Sequence, residues 1–266
     1  MLTEVHVPEE VPAVLSLVAS GARVIGGGTS LMPWLNDHAS PPTELVSLRR
    51  TGLAGVHRAG STVAIGAATT LSQVEHDARL EVLNPVVRSI ASVPVRNLAT
   101  VGGNLFARQP YGDLAVAFVA LNARATLVDE NGTSELPVED IVAADRRSVL
   151  VTAVAFERPG PGTFKYVKAA RRRYNSASVV TVAATITESD GIVTGARVAL
   201  GGVGARVVRA HAVEDALVGR QLTDSNVQAA GQAGLSELSP ADDAYASAWY
   251  RTRVFPVHLR RALLGR

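Results

Sequence analysis

"VRNLATVGGNLFARQPYGDLAVA", residues 95 to 117, sets a hydroxyl, two adjacent glycines and an amide side by side, then a single acid at the head of an apolar run. Thr100, Val101, Gly102, Gly103 and Asn104 form its first part. Without Cβ atoms, successive N–H groups of such a segment can converge on one anion, and the neighbouring hydroxyl can donate to it as well. Nine residues past Asn104, Asp113 opens "DLAVAFVALNA", which reads as a buried helix. Two readings of that carboxylate stand: an N-cap of the helix, or an acceptor for ribose hydroxyls.

A second stretch of the same kind lies upstream. "RVIGGGTSLMP", residues 23 to 33, ends a short strand on Gly26, Gly27 and Gly28 and continues with Thr29, Ser30 and Leu31. Taken alone it is a weak sign of a phosphate cradle, because glycines after a strand more often serve a tight turn. The dinucleotide fingerprint G-x-G-x-x-G fails here, because the last glycine counted from Gly26 would be Leu31 and no acid follows at the required spacing. A Walker loop fails for want of Gly-Lys-Ser/Thr. Two glycine–hydroxyl stretches and an acid match a long ligand with a diphosphate waist and a ribose.

Around these stretches the chain reads as three units. Residues 1–55 give strand, helix, strand and strand, through "EVHVPEE", "VPAVLSLVAS", "ARVI" and "ELVSL". Residues 56–160 open with a hairpin about Ala59-Gly60-Ser61. A capping-box pair, Thr70 with Gln73, then heads a helix. A second helix precedes "VPVRN", Asp113 begins a third, and a hairpin turns at Asn131-Gly132. "RPGPG", residues 158–162, is the linker. Residues 161–266 give three strands, the last two joined through Asp190-Gly191, and then helices about 210–218, 223–238 and 245–264. The expected fold class is α+β, two α/β subdomains followed by a small domain of a three-stranded sheet and helices.

Composition narrows the chemistry. The chain has 266 residues, no cysteine and a formal net charge of +2, with a pI near 9.2. Disulfides, thiolate metal sites and self-ligated iron–sulfur clusters are excluded, so redox work needs a bound organic cofactor. Basic residues are not concentrated with aromatics, which argues against nucleic acid. The longest apolar run, Leu114 to Leu121, is far short of the ~20 residues of a membrane span. The apolar start at Val11 follows Glu9 and Glu10, the wrong charge for a signal peptide. The expectation is a soluble, cytoplasmic protein. The six histidines, His6, His38, His57, His76, His211 and His258, show no metal spacing, and no catalytic triad is visible.

The two stretches together resemble the FAD-binding subunits of molybdenum hydroxylases, the medium chains of carbon monoxide dehydrogenase and of bacterial xanthine dehydrogenase-type enzymes. "GGGTSLMP" is similar to that family's A-G-G-x-S-L-x-P loop. "VRNLATVGGN…P…DLAVA" is similar to its V-R-N-x-x-T-I-G-G-N…P…D-L-P-A segment. "LVTAVAF", "KAARRRYNSASVV", "LGGVGARVVRAHAVEDALVG" and "YRTRVFPVHLRRALL" extend the resemblance along essentially the whole chain.

The resemblance implies a PCMH-type fold and bound FAD. Gly26 to Leu31 would wrap the diphosphate, and Thr100, Val101, Gly102, Gly103 and Asn104 would hold it from the other side. Asp113 would bind the ribose of the adenosine. Ile90 would lie beside the adenine or serve as an ordinary core residue, and Lys168 would lie near the flavin ring or stand solvated. The run Arg171-Arg172-Arg173 would be a solvated face, or else meet the flavin edge or a partner. No catalytic acid or nucleophile is demanded.

Partners are implied in trans: a small [2Fe-2S] subunit and a large molybdopterin subunit, in a dimer of heterotrimers. Two departures, "WLND" at Trp34 to Asp37 for a basic run and "LVSL" at Leu45 to Leu48 for L-I-D-L, bear on partner contacts and subgroup. Other readings are a self-contained flavin oxidoreductase of the same fold using NAD(P)H, and a flavin-free nucleotide-binding scaffold.

Overall fold

The computed structural model describes residues 2–37, 40–144, 149–172 and 175–265. His38 and Arg173 lie outside the described residues. Three sheets take their strands from three successive stretches of chain.

The first stretch contains β1 (Glu4–His6), α1 (Val11–Ala19), β2 (Arg23–Ile25), α2 (Leu31–Asp37) and β3 (Glu44–Ser47). Its strands are parallel in the order β1-β3-β2. Pro12 in the first turn of α1 has a preset φ and lacks only an N–H that would go unused there. Val14 from α1 meets Val46 and Leu48 in a small core. Helix α2 is an addition to the expected strand, helix, strand and strand.

The second stretch is β4 (Val56–Ala59), β5 (Thr62–Gly66), α3 (Leu71–His76), a 3-10 turn (Ala78–Leu83), α4 (Asn84–Ser89), α5 (Val93–Leu98), α6 (Val101–Leu105), α7 (Asp113–Ala120), β6 (Arg124–Asp129), β7 (Gly132–Pro137), α8 (Val138–Ala143) and β8 (Leu150–Glu157). The strands run antiparallel in the order β4-β5-β8-β6-β7. The Thr70–Gln73 capping box forms as expected, with Gln73 N–H donating to Thr70 Oγ1 at 3.2 Å and Thr70 N–H to Gln73 Oε1 at 2.8 Å. The β6–β7 hairpin turns at Glu130-Asn131, one residue earlier than expected. Asp129 pairs with Gly132, and the Asn131 N–H donates to Asp129 Oδ1 at 2.8 Å, which fixes the earlier turn.

The third stretch is β9 (Phe164–Ala170), β10 (Ser178–Ser189), β11 (Ile192–Gly201), β12 (Val208–Arg209), α9 (His211–Leu217), α10 (Asp224–Ala233) and α11 (Ala248–Leu264). Its sheet has four strands, β12-β11-β10-β9, rather than the expected three. The addition is two residues long, too short for alternation to reveal it. The Asp190-Gly191 turn is as expected, both residues having positive φ.

Helix α7 joins the second and third stretches. Every one of its residues is buried, and Ala183 of β10 and Ala199 of β11 belong to the same core as the helix. A separate core lies between the third sheet and α9 to α11. Among the described residues no helix is long and apolar enough to cross a membrane.

Candidate functional site

The glycine stretches, far apart in sequence, are in direct contact. A Cβ on Gly26 would stand 2.7 Å from Thr100 Oγ1, and one on Gly27 would stand 1.7 Å from the Leu98 carbonyl oxygen. Gly28 has φ +73°, the left-handed conformation that glycine adopts without a steric penalty. The bare backbone at 26 and 27 therefore admits residues 98–100 of the same chain.

The two stretches differ in what their N–H groups do. Residues 101–105 form helix α6, with Thr100 as its N-cap. Val101 N–H donates to Thr69 O at 2.9 Å, Gly102 N–H to Ala67 O at 2.8 Å and Asn104 N–H to Thr100 O at 3.0 Å. Gly103 N–H donates to Thr100 Oγ1 at 3.2 Å. In the first stretch, among the described residues, the N–H groups from Gly26 to Leu31 have no protein acceptor. They form a row of donors, with the hydroxyls of Thr29 and Ser30 beside them, and this suits a diphosphate.

A relay of contacts runs from that row into the molecule. Thr100 touches Gly26 and caps α6. On α6, Asn104 Oδ1 accepts the Leu114 N–H at 3.1 Å and so caps α7. Gly112 is the formal N-cap of α7 and Asp113 its first residue, so the N-cap reading of Asp113 is corrected. The Asp113 carboxylate is turned inward. Oδ1 accepts from Ser178 Oγ at 2.9 Å and Thr181 Oγ1 at 2.7 Å, and Oδ2 accepts from Lys168 Nζ at 2.7 Å.

Lys168 is no solvated lysine: its side chain is 7% exposed, and Nζ also donates to Ser89 O at 3.0 Å. Ser89 Oγ meets Tyr166 Oη at 2.8 Å. Burial, then the negative Asp113, holds the Tyr166 phenol well above its ordinary value against the opposing pull of the Ser89 bond. Ser89, Lys168, Ala170, Arg171, Arg172 and Ser176 line a cavity of about 270 Å³. Ile90, next to Ser89, lies in the core at 8% exposure. Arg171 Nη1 donates to Ala244 O at 3.1 Å, so it is not simply solvated.

Ser89, Tyr166, Ser178 and Thr181 were not legible as site residues. Ser178 and Thr181 are three apart on one strand, which ordinarily places them on opposite faces. A register shift between Ser178 and Val180 brings both hydroxyls to Asp113.

Beside this cluster, Tyr111 and Tyr245 join the second and third stretches with their hydroxyls 2.6 Å apart. The hydrogen bond to Tyr245, then burial, pushes the Tyr111 phenol up to about 12. The stability it brings is full below pH ~10, the ordinary tyrosine value, and is lost as pH rises toward the raised value. Ultraviolet phenolate titration of the protein and of Tyr245→Phe checks this. Tyr111 should titrate late in the first and return toward its ordinary value in the second, whereas identical curves would contradict the bond.

Fold and site together define a three-part chain with open backbone N–H groups on its parallel unit and a buried charged cluster between the other two. Residues 2–156 match the family described as the FAD binding domain in molybdopterin dehydrogenase, and residues 165–265 match the CO dehydrogenase flavoprotein C-terminal domain. The chain belongs to this family of FAD-binding dehydrogenase chains.

The carbon monoxide dehydrogenase medium chain of Hydrogenophaga pseudoflava is 28% identical over 98% of this chain and 95% of its own length. The 6-hydroxypseudooxynicotine dehydrogenase complex subunit alpha of Paenarthrobacter nicotinovorans is 29% identical over 97% and 92%. A solved carbon monoxide dehydrogenase from Hydrogenophaga pseudoflava superposes with a TM-score of 0.93 at 27% identity, covering 99% of this chain and 96% of that one.

Proposed function

We propose that the chain is the FAD-carrying electron-transfer subunit of a molybdenum hydroxylase complex. It takes electrons from [2Fe-2S] clusters on a small partner subunit, fed by a molybdopterin centre on a large one, and passes them to an external acceptor. The observation that carries this reading is the row of open N–H donors from Gly26 to Leu31, in a chain whose family is defined by FAD binding.

Those donors, with Thr29 and Ser30, hold the diphosphate. Thr100 to Asn104 brace the cradle from behind and pass its position on to α7, and Ile90 packs next to the cavity-lining Ser89. When bound, FAD supplies the electron carrier that a chain without cysteine lacks. The protein contributes position and electrostatics: a rigid cradle at one end, and Lys168 with its supports at the other.

In this reading residues 1–55 and 56–160 are the two FAD-binding subdomains and 161–266 the C-terminal domain. The assembly is a cytoplasmic dimer of heterotrimers. The experiment is purification of the native assembly with analysis of its chains, flavin, iron and molybdenum. Flavin with this chain, together with a cysteine-rich and a molybdopterin-bearing chain, is expected. A lone chain that oxidises NAD(P)H with its own substrate would overturn the proposal.

A further inference from the structure

The exposed aromatic side chains of the described residues lie in two segments only. Phe106 and Tyr111 follow α6, and Trp249 and Tyr250 open α11, with Trp249 68% exposed. The fold joins the segments: the Tyr111 and Tyr245 hydroxyls meet at 2.6 Å, and their rings stand edge to face with centroids 6.2 Å apart. Along α11, Trp249, Arg253 and Val257 recur every fourth residue and are exposed, while Arg251, Phe255 and Leu259 turn into the molecule. The Arg253 guanidinium lies over the Trp249 ring, 5.5 Å from its centroid. A helix that met only solvent on its outer side would carry polar residues there. An aromatic patch marks a surface that another molecule covers, and Trp, Tyr and Arg are the residues that carry most of the energy at protein interfaces.

The charges around the aromatics select the partner. Arg108 lies between Phe106 and Tyr111 in the chain, and the bond from Arg171 to Ala244 O sets Arg171 against the neighbour of Tyr245, with Arg172 next to it. Among the described residues Arg108, Arg172 and Arg253 have no carboxylate partner. The two acids nearby are engaged within the chain. Asp242 accepts from the Ala248 N–H at 2.5 Å, and Asp243 accepts from Arg251 and from the N–H groups of Tyr245 and Ala246. The face is therefore basic with an aromatic centre. A second copy of this chain, placed on it across a two-fold axis, would set arginine against arginine. We propose that residues 106–111 and 249–257 form the face on which the chain docks an acidic partner chain, whose carboxylates meet Arg108, Arg172 and Arg253 and whose aliphatic side chains cover Trp249 and Tyr250. This rests on the reading that the chain works in a complex.

The test uses the native assembly purified through this chain. Arg253→Lys puts an amine on the face of a chain whose only lysines are Lys165 and Lys168, and a carbodiimide then couples that amine to a carboxylate in contact with it. Peptide mass spectrometry should find position 253 joined to an Asp or Glu of another chain of the assembly. Arg58→Lys, exposed on β4, should give no such link. Trp249→Ala should raise the dissociation constant of the same partner at least about tenfold at every salt concentration. Arg253→Glu should lower the salt concentration at which the partner leaves. Flavin content should stay as in the parent in both variants, because neither residue lies in the cradle or the buried cluster, and this guards against a folding defect.

Coupling of position 253 only within this chain, or equal coupling from positions 58 and 253, would overturn the proposal. So would an assembly that keeps its partner equally well in Trp249→Ala and Arg253→Glu, or binding of the separated chain to anionic vesicles or single-stranded DNA that both variants abolish. A chain that purifies alone would overturn the reading of function and, with it, the partner assigned to this face. An intact assembly without the coupling would overturn the docking face alone.

Discussion

Gly27→Ala is expected to give a colourless protein that melts well below the parent. The added methyl would lie 1.7 Å from the Leu98 carbonyl oxygen and 2.3 Å from its carbon. Those are backbone atoms at the end of α5 and cannot rotate aside. Overpacking of this kind costs about 1–3 kcal/mol even where side chains can give way. Here the relief has to come from moving the first stretch off the second, which misplaces the N–H row from Gly26 to Leu31. Gly26→Ala meets only the Thr100 hydroxyl at 2.7 Å, and Gly103→Ala meets the same oxygen at 3.0 Å. Flavin content and thermal melts should therefore rank the three variants with Gly27→Ala far the worst. Normal flavin content in that variant would contradict the packing of the two stretches.

The second large effect lies in α11. Arg251 is 1% exposed, the bulkiest of the fully buried side chains. Its Nη1 donates to Ser178 O at 3.1 Å, Val179 O at 2.7 Å and Gly202 O at 2.7 Å, and its Nη2 reaches both oxygens of Asp243 at 2.8 and 2.7 Å. Arg251→Leu removes the donor of three carbonyls, each costing about 1–3 kcal/mol if left unsatisfied, and the ion partner of a carboxylate that keeps its backbone donors at Tyr245 and Ala246. Denaturant unfolding should show it as a lower midpoint. Because Ser178 also holds Asp113, FAD retention should fall too. Asp243→Asn, whose side chain is 31% exposed, should cost much less. A stability for Arg251→Leu near that of the parent would mean that the carbonyls find other donors.

The pattern of what could be read from sequence follows the range of the forces involved. Local chemistry was legible: the Thr70–Gln73 capping box, the Asp190-Gly191 turn and the irregular run at 158–162 depend on neighbours in sequence. The glycines at 26–28 were legible as a place where backbone must approach something, but not which partner. For Gly26 and Gly27 that partner is residues 98–100, brought there by tertiary packing. Gly102 and Gly103 disfavour a helix, yet Thr100 caps a short one there, and the N–H groups of residues 101 to 104 are taken by Thr69, Ala67 and Thr100. Ser178 and Thr181 were hidden because a bulge breaks the period of two on which strand reading relies. Arg251 was hidden because an arginine in a surface helix ordinarily points to solvent.

In the proposed function the N–H groups from Gly26 to Leu31 receive the cofactor while α6 only braces them. Amide hydrogen exchange on the apo chain with and without FAD, resolved at single residues, tests this directly. The N–H groups from Gly26 to Leu31 should exchange freely and become protected when FAD binds, while those from Val101 to Asn104 should be protected in both states. Bound flavin that leaves 26–31 exchanging freely, and protects 101–104 for the first time, would contradict it.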